Sequence, residues 1–245
     1  MPTRPAPAGI EVRSLRERVY EHLKALLAEG RLCPGSFLDL NALAADLGIS
    51  RTPLRDALIR LESEGFAEIL SRRGVRIAEL TLGRIRDIYE ILGALESAAL
   101  RSVADQITPG VTDRMAELNE EMSRALESYD FGRYYDANLA FHDAYLSRSE
   151  NAELVGRIRI LKQRLYDFPR LRGFVPEWER ASIGEHEAVV TLLRVGRVED
   201  AADYLRDVHW SFRRQEPFVR RYYAAARSEE ARSTAGAVGG REGEG

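Results

Sequence analysis

From Val12 to Leu27 apolar residues recur at helical spacing, at Leu15, Val19, Leu23, Leu26 and Leu27, which predicts an amphipathic helix. The "EGRLCPG" stretch breaks it, with Gly30 as the C-terminal cap and Pro34-Gly35 as a turn. A short helix follows over about 41–47, with Leu43, Ala44 and Leu47 on its apolar face and Gly48 ending it. A third helix runs to Glu64, burying Leu54, Ala57, Leu58 and Leu61, with Ser50 expected to cap it through its hydroxyl. The period then changes from helical to alternating in "FAEIL" and "GVRIAEL", which reads as a two-stranded hairpin with a basic tip at "SRRG". Three helices and a hairpin within about 70 residues make a winged helix-turn-helix.

Beyond "LTLG" every pattern is helical, over about 82–107, 111–128, 131–148, 151–168, 178–195 and 198–225. Stripes such as Ile88, Leu92, Leu95, Ala99 and Val103 lie on single faces, so the six helices imply a bundle. The expected fold is mainly α: a winged helix-turn-helix over 10–79, a helical bundle domain over 80–226, and a disordered tail over 227–245, whose Ala, Gly, Ser, Arg and Glu form no core pattern. There is no internal repeat.

Composition narrows the class. Among 245 residues, 44% are hydrophobic and 31% charged, no apolar run is long enough to span a membrane, and the first residues lack an apolar signal core. The lone Cys33 builds neither a disulfide framework nor a thiolate zinc site; it reads as a part-buried small apolar residue in a reducing, cytoplasmic setting. The net charge is −3 and the first eighty residues are close to balance, so anion binding must come from a local cluster.

That cluster opens the third helix. In a helix-turn-helix the second helix presents its N-terminal residues to base edges in the major groove, which is where Ser50, Arg51, Thr52 and Arg55 fall. Arg51 and Arg55, four apart, share a face, and an arginine fork fits guanine O6 and N7. Ser50 and Thr52 suit phosphates, and Arg72 and Arg73 on the hairpin tip reach a neighbouring groove or backbone. The competing reading pairs these arginines with Asp56 and Glu62 on a solvated surface.

The segment "PGSFLDLNALAADLGISRTPLRDALIRLESEGFAEILSRRGVRI" resembles the N-terminal domain of GntR-family transcription regulators at nearly every defining position from Pro34 to Ile77. The resemblance implies that Arg51, Thr52 and Arg55 contact DNA, assisted by Asn41, Arg73 and Gly74. A homodimer on a palindromic operator would place half-sites roughly 34 Å apart, about one helical turn.

Four histidines are present, and His22 reads as a surface residue of the first helix. His142, His186 and His209 lie on three separate bundle helices, with Asn138 one turn before His142. Spacing alone leaves open whether they are ordinary histidines or a ligand set. The segments "NLAFHDAYLSRSEN", "GEHEAVVTLLRVGRVEDA" and "AADYLRDVH" resemble signature segments of the FCD effector domain, in the FadR branch of the same family, over roughly residues 82–222. That resemblance implies a divalent metal, zinc first with nickel or another transition metal as alternatives, on Asn138, His142, His186 and His209. Asn138 stands where Asp is frequent; a neutral oxygen leaves the metal's full charge and favours an anionic effector, a small carboxylate. Where many members carry an arginine four residues before the glutamate matched by Glu96, this chain has Leu92. Glu96 and Arg164 are therefore the candidate effector contacts, with Arg157 and Arg172 as other basic candidates. The aromatic-basic stretch "KQRLYDFPRLRGFVPEWER" either covers the pocket entrance or makes core or dimer contacts.

The resulting reading is a non-enzymatic, effector-controlled DNA-binding regulator. The rival class is a metal-dependent enzyme acting on small carboxylates, with Glu96 or Glu185 as base; the attached DNA reader counts against it.

Overall fold

The computed structural model describes residues 14–166 and 175–222. The chain divides into two compact units, the first ending at Glu79 and the second beginning at Leu80.

In the first unit, α1 (Leu15–Ala28), α2 (Leu40–Asp46) and α3 (Arg51–Ser63) accompany a small sheet of β1 (Phe37–Leu38), β2 (Ala67–Leu70) and β3 (Gly74–Ile77). The strand order is β1-β3-β2, antiparallel throughout, with Leu38 opposite Val75 and Ile69 opposite Val75 on the other side. The sequence pattern predicts only the β2–β3 hairpin, because a two-residue strand is too short to display alternation; β1 exists through pairing with β3. Val19, Leu23 and Leu27 of α1 pack with Leu54, Leu58 and Leu61 of α3, Phe66 and Ile77 in one buried core. Asp39 caps α2 by accepting the Asn41 and Ala42 N–H groups at 2.9 and 3.1 Å. The turn into α3 requires a left-handed residue, Gly48 at φ 62°, after which Ile49 N–H closes onto the Ala44 carbonyl at 3.0 Å. Ser50 occupies the N-cap of α3, but its hydroxyl makes no capping bond, contrary to expectation. Cys33 is exposed rather than part-buried, its thiol directed at the Gly30 carbonyl 3.5 Å away.

The second unit is all-helical: α4 (Leu82–Ser102), α5 (Pro109–Glu127), α6 (Phe131–Leu146), α7 (Ala152–Tyr166), α8 (Pro176–Arg194), α9 (Val198–Tyr204) and α10 (212–222). A 3₁₀ turn, Ala104–Gln106, follows α4 where the pattern predicts continuing helix. The core includes Ile85, Leu92, Leu100, Met115, Met122, Phe141, Tyr145, Ile158, Val189 and Leu205. The single helix expected over 198–225 is instead broken: a π turn, Leu205–His209, separates α9 from Trp210 and α10. The widened turn re-aims its side chains, and π turns concentrate at functional sites for that reason. It is accommodated by Gly93 of α4, where a Cβ would lie 3.1 Å from Trp210 Cβ and 3.3 Å from the Arg206 carbonyl. The expected tail over 227–245 falls outside the described residues.

Candidate functional site

On the first unit, Asn41, Ser50, Arg51, Thr52, Arg55, Arg72, Arg73 and Gly74 are all exposed. Burial of Leu54, Ala57, Leu58 and Leu61 holds one face of α3 inward, and Arg51 and Arg55 lie together along one flank of it, exposed. The Arg51 guanidinium donates to the Asn41 amide oxygen, tying the two helices of the motif together. Neither arginine pairs with Asp56 or Glu62 among the described residues; Glu62 instead accepts from the Ile69 N–H at 2.7 Å. At the wing tip Arg72 takes a left-handed backbone (φ 62°), a conformation uncommon outside glycine, which displays its side chain and that of Arg73 to solvent.

In the second unit the π turn brings His209 beside His142 of α6 and His186 of α8. Their ring centroids are separated by 5.2 Å (142–209), 5.3 Å (142–186) and 4.9 Å (186–209). One nitrogen from each can be chosen so that all three lie within 4.8 Å of one another. The rings are held by distinct means. His142 Nδ1 lies 2.9 Å from Glu96 Oε2 and His209 Nδ1 lies 2.9 Å from Glu185 Oε2. A carboxylate only accepts, so both Nδ1 atoms carry protons and each Nε2 is directed away from its carboxylate. His186 lies flat against Phe141 at 4.0 Å, fully buried, with neither nitrogen hydrogen-bonded. Burial pushes the His142 imidazole down to about 4, with Lys162 and His209 adding to the shift and Glu96 opposing it. Burial likewise holds His186 well below the usual range, with His209 and His142 adding to it. Both are therefore neutral, the form that ligates metals.

The donor set fits a divalent cation. His142 Nε2, both nitrogens of His186 and the Asn138 amide oxygen are buried without a hydrogen-bond partner. Such orphaned polar atoms are costly, and an ion could take up one from each residue: His142 Nε2, one nitrogen of His186 and the Asn138 oxygen. Glu96 and Glu185 stand behind their histidines as orienting carboxylates stand behind ligands in metal sites.

Glu96, expected at the effector, is fully buried and does not line the adjoining cavity. Its Oε2 also accepts the Tyr145 hydroxyl at 2.7 Å and the Trp210 indole N–H at 2.8 Å, while the Lys162 ammonium sits 2.6 Å from Oε1. Burial alone would raise this carboxyl, but His142 and Lys162 hold it well below the usual carboxylate range. Arg164, the other expected contact, is half-buried on α7 and also absent from the lining; Arg157 is exposed, and Arg172 lies outside the described residues. Lys162 was not singled out by motif reasoning. Its signal was its register: Val155, Ile158, Lys162 and Leu165 form one buried stripe, and a lysine on such a stripe demands a buried anion.

The cavity beside the histidines offers about 70 Å³ to the centre of a water molecule and is reached by Asn138 and His209. At ~10–15 Å³ per water it has room for roughly five to seven waters, so only a small molecule would fit. Seven of its sixteen lining residues are aromatic, and among the described residues no lysine or arginine lines it.

An exposed basic helix start on a winged helix-turn-helix, joined in one chain to an all-helical unit with a small polar-ended cavity, defines a class of DNA-binding regulator. The family model for bacterial regulatory proteins of the GntR family matches residues 15–77, and that for the FCD domain matches residues 87–209. The Nta operon transcriptional regulator of Aminobacter aminovorans is 30% identical over 169 residues, covering 68% of this chain and 77% of that protein. The HTH-type transcriptional regulator McbR of Escherichia coli is 31% identical over 152 residues, covering 62% and 69%. Among solved structures, E. coli McbR/YncC superposes with a TM-score of 0.63 at 24% identity, covering 88% of this chain and all of that one, and a GntR regulator from Rhodococcus sp. RHA1 gives 0.61 at 20%, covering 83% and 97%. These likenesses support the fold. The chain belongs to the GntR family of transcription regulators and carries an FCD domain. No helix among the described residues is long and apolar enough to cross a membrane.

Proposed function

We propose that this regulator is a cytoplasmic homodimer that binds a palindromic operator and that its operator affinity is set by a small carboxylate bound beside a divalent metal in the helical unit. The observation that carries the reading is His186, fully buried with both ring nitrogens lacking partners, at the centre of a histidine trio. Asn138, His142, His186 and His209 would hold the ion, zinc by preference and nickel or another imidazole-binding metal as alternatives. When bound, the ion supplies an electrophilic centre with positions open to an anionic oxygen. Glu96 and Glu185 orient His142 and His209, and aromatic side chains form much of the cavity wall. Glu96 acts on His142 and not on the effector; no basic side chain among the described residues competes with the ion for the carboxylate.

On DNA, Arg51 and Arg55 read base edges, Ser50 and Thr52 meet phosphates with the N-terminus of α3, and Arg72, Arg73 and Gly74 bring the wing to the backbone. Asn41 holds Arg51 in its reading pose. An effector changes operator affinity only by binding the DNA-competent and incompetent states unequally. The test is His186→Ala: elemental analysis should show metal lost from a chain whose circular dichroism is unchanged, and retained metal would refute the site.

A further inference from the structure

One carboxylate in the cavity is incompletely satisfied: the backbone N–H groups of Val175 and Glu179 act on it, but one of its oxygens is left over. Glu179, on the first turn of α8, is 7% exposed and lines the cavity, and its Oε2 has no hydrogen-bond partner. Glu185, the other acid on the wall, is already engaged by His209 and by Gln215 Nε2 at 3.0 Å. Seven residues separate Glu179 from His186, two helical turns, so the two lie on one face of α8 about 10 Å apart along its axis. Around Glu179 the wall is aromatic: Trp178 stands edge-on to Tyr222 with centroids 5.8 Å apart, and its indole N–H is committed to Gln215 Oε1 at 2.9 Å. A buried carboxylate beside aromatic faces, with no cation among the described lining residues, is the chemistry that receives an ammonium group.

We infer that the cavity takes a small zwitterion, an ω-amino carboxylate whose ammonium end is received by Glu179, Trp178 and Tyr222 and whose carboxylate end points to the histidines. This rests on the proposed function for the carboxylate end only; the ammonium end stands on Glu179 and the aromatic wall. Burial pushes the Glu179 carboxyl up to about 7, outweighing the backbone N–H groups of Glu179 and Val175 and the Arg180 charge, which act the other way.

Isothermal titration of the full-length protein tests this with 5-aminopentanoate, pentanoate and glutarate on zinc-loaded protein, and with butylamine and butanol on chelator-stripped protein. Zinc-loaded protein should bind 5-aminopentanoate roughly thirtyfold more tightly than pentanoate, the size of one desolvated cation–aromatic contact, with glutarate weakest. Stripped protein should still prefer butylamine over butanol. Glu179→Gln should abolish both preferences while pentanoate binding persists, and Trp178→Leu should weaken them several-fold. Equal or tighter binding of pentanoate or glutarate, or a preference that survives in Glu179→Gln, overturns the inference. Zinc content is read separately: a chain that takes up no zinc yet prefers butylamine keeps this inference and sinks the metal reading.

Discussion

Replacing Glu96 by glutamine removes one negative charge from a site where four donors converge without changing its shape. His142, Tyr145 and Trp210 donate to Oε2, and Lys162, 5% exposed, faces Oε1 at 2.6 Å. Cavity formation is negligible for this substitution. The cost comes from Lys162, whose pKa burial lowers and Glu96 raises; without Glu96 its ammonium is buried and unpaired. Breaking one partner of a buried pair costs about 3–5 kcal/mol. Lys162→Met should also destabilise, though less, because the carboxylate keeps three donors. In the double variant neither charge remains, so its loss should fall short of the sum by about 1–3 kcal/mol. Urea unfolding of chelator-stripped protein, followed by tryptophan fluorescence, measures this in the helical unit, because Trp178 and Trp210 both lie there. Glu96→Gln should in addition weaken zinc binding by about 10–100-fold through the loss of His142 orientation. Additive single losses, or a Glu96→Gln cost below about 1 kcal/mol, would refute the buried-pair reasoning.

Glu179 makes stability depend on pH. Its folded pKa of about 7 exceeds the ordinary 4.5, so the native state keeps a proton that the unfolded chain has released. Its contribution is therefore most favourable below about pH 4.5 and is lost, by up to about 3 kcal/mol, as pH rises from there through 7; Glu179→Gln should flatten that part of the profile, and parallel profiles would contradict the assignment. Gly93→Ala places a methyl against Trp210 and the Arg206 carbonyl and should cost about 1–3 kcal/mol in urea unfolding despite alanine's better helix propensity, whereas a gain in stability would mean that the π turn yields freely. Arg55→Ala and Arg51→Ala should each lower discrimination between a selected operator and random duplex by about 1–3 kcal/mol in anisotropy titrations, while Arg72→Ala should weaken both duplexes alike; unchanged discrimination in both recognition-helix variants would remove α3 from the groove.

The amino-acid sequence alone determined the class of fold. Helical periodicity placed α1 and α3 and their buried leucines, alternation placed β2 and β3, and glycines placed the turns, because these signals are local and each element's buried face is written at its own period. Spacing also marked Arg51 and Arg55, and the resemblance to FCD-domain segments marked the three histidines, which spacing alone left open. Tertiary structure decided the rest. The strand β1 exists only as a partner of β3. The helix of 198–225 gives way to a π turn because Gly93, more than a hundred residues earlier, lets Trp210 approach. Lys162 meets Glu96, and Glu185 meets His209, through packing between helices that no local pattern encodes. Which carboxylate steadies a histidine and which faces the cavity is a question of burial, and burial is set by the whole chain at once.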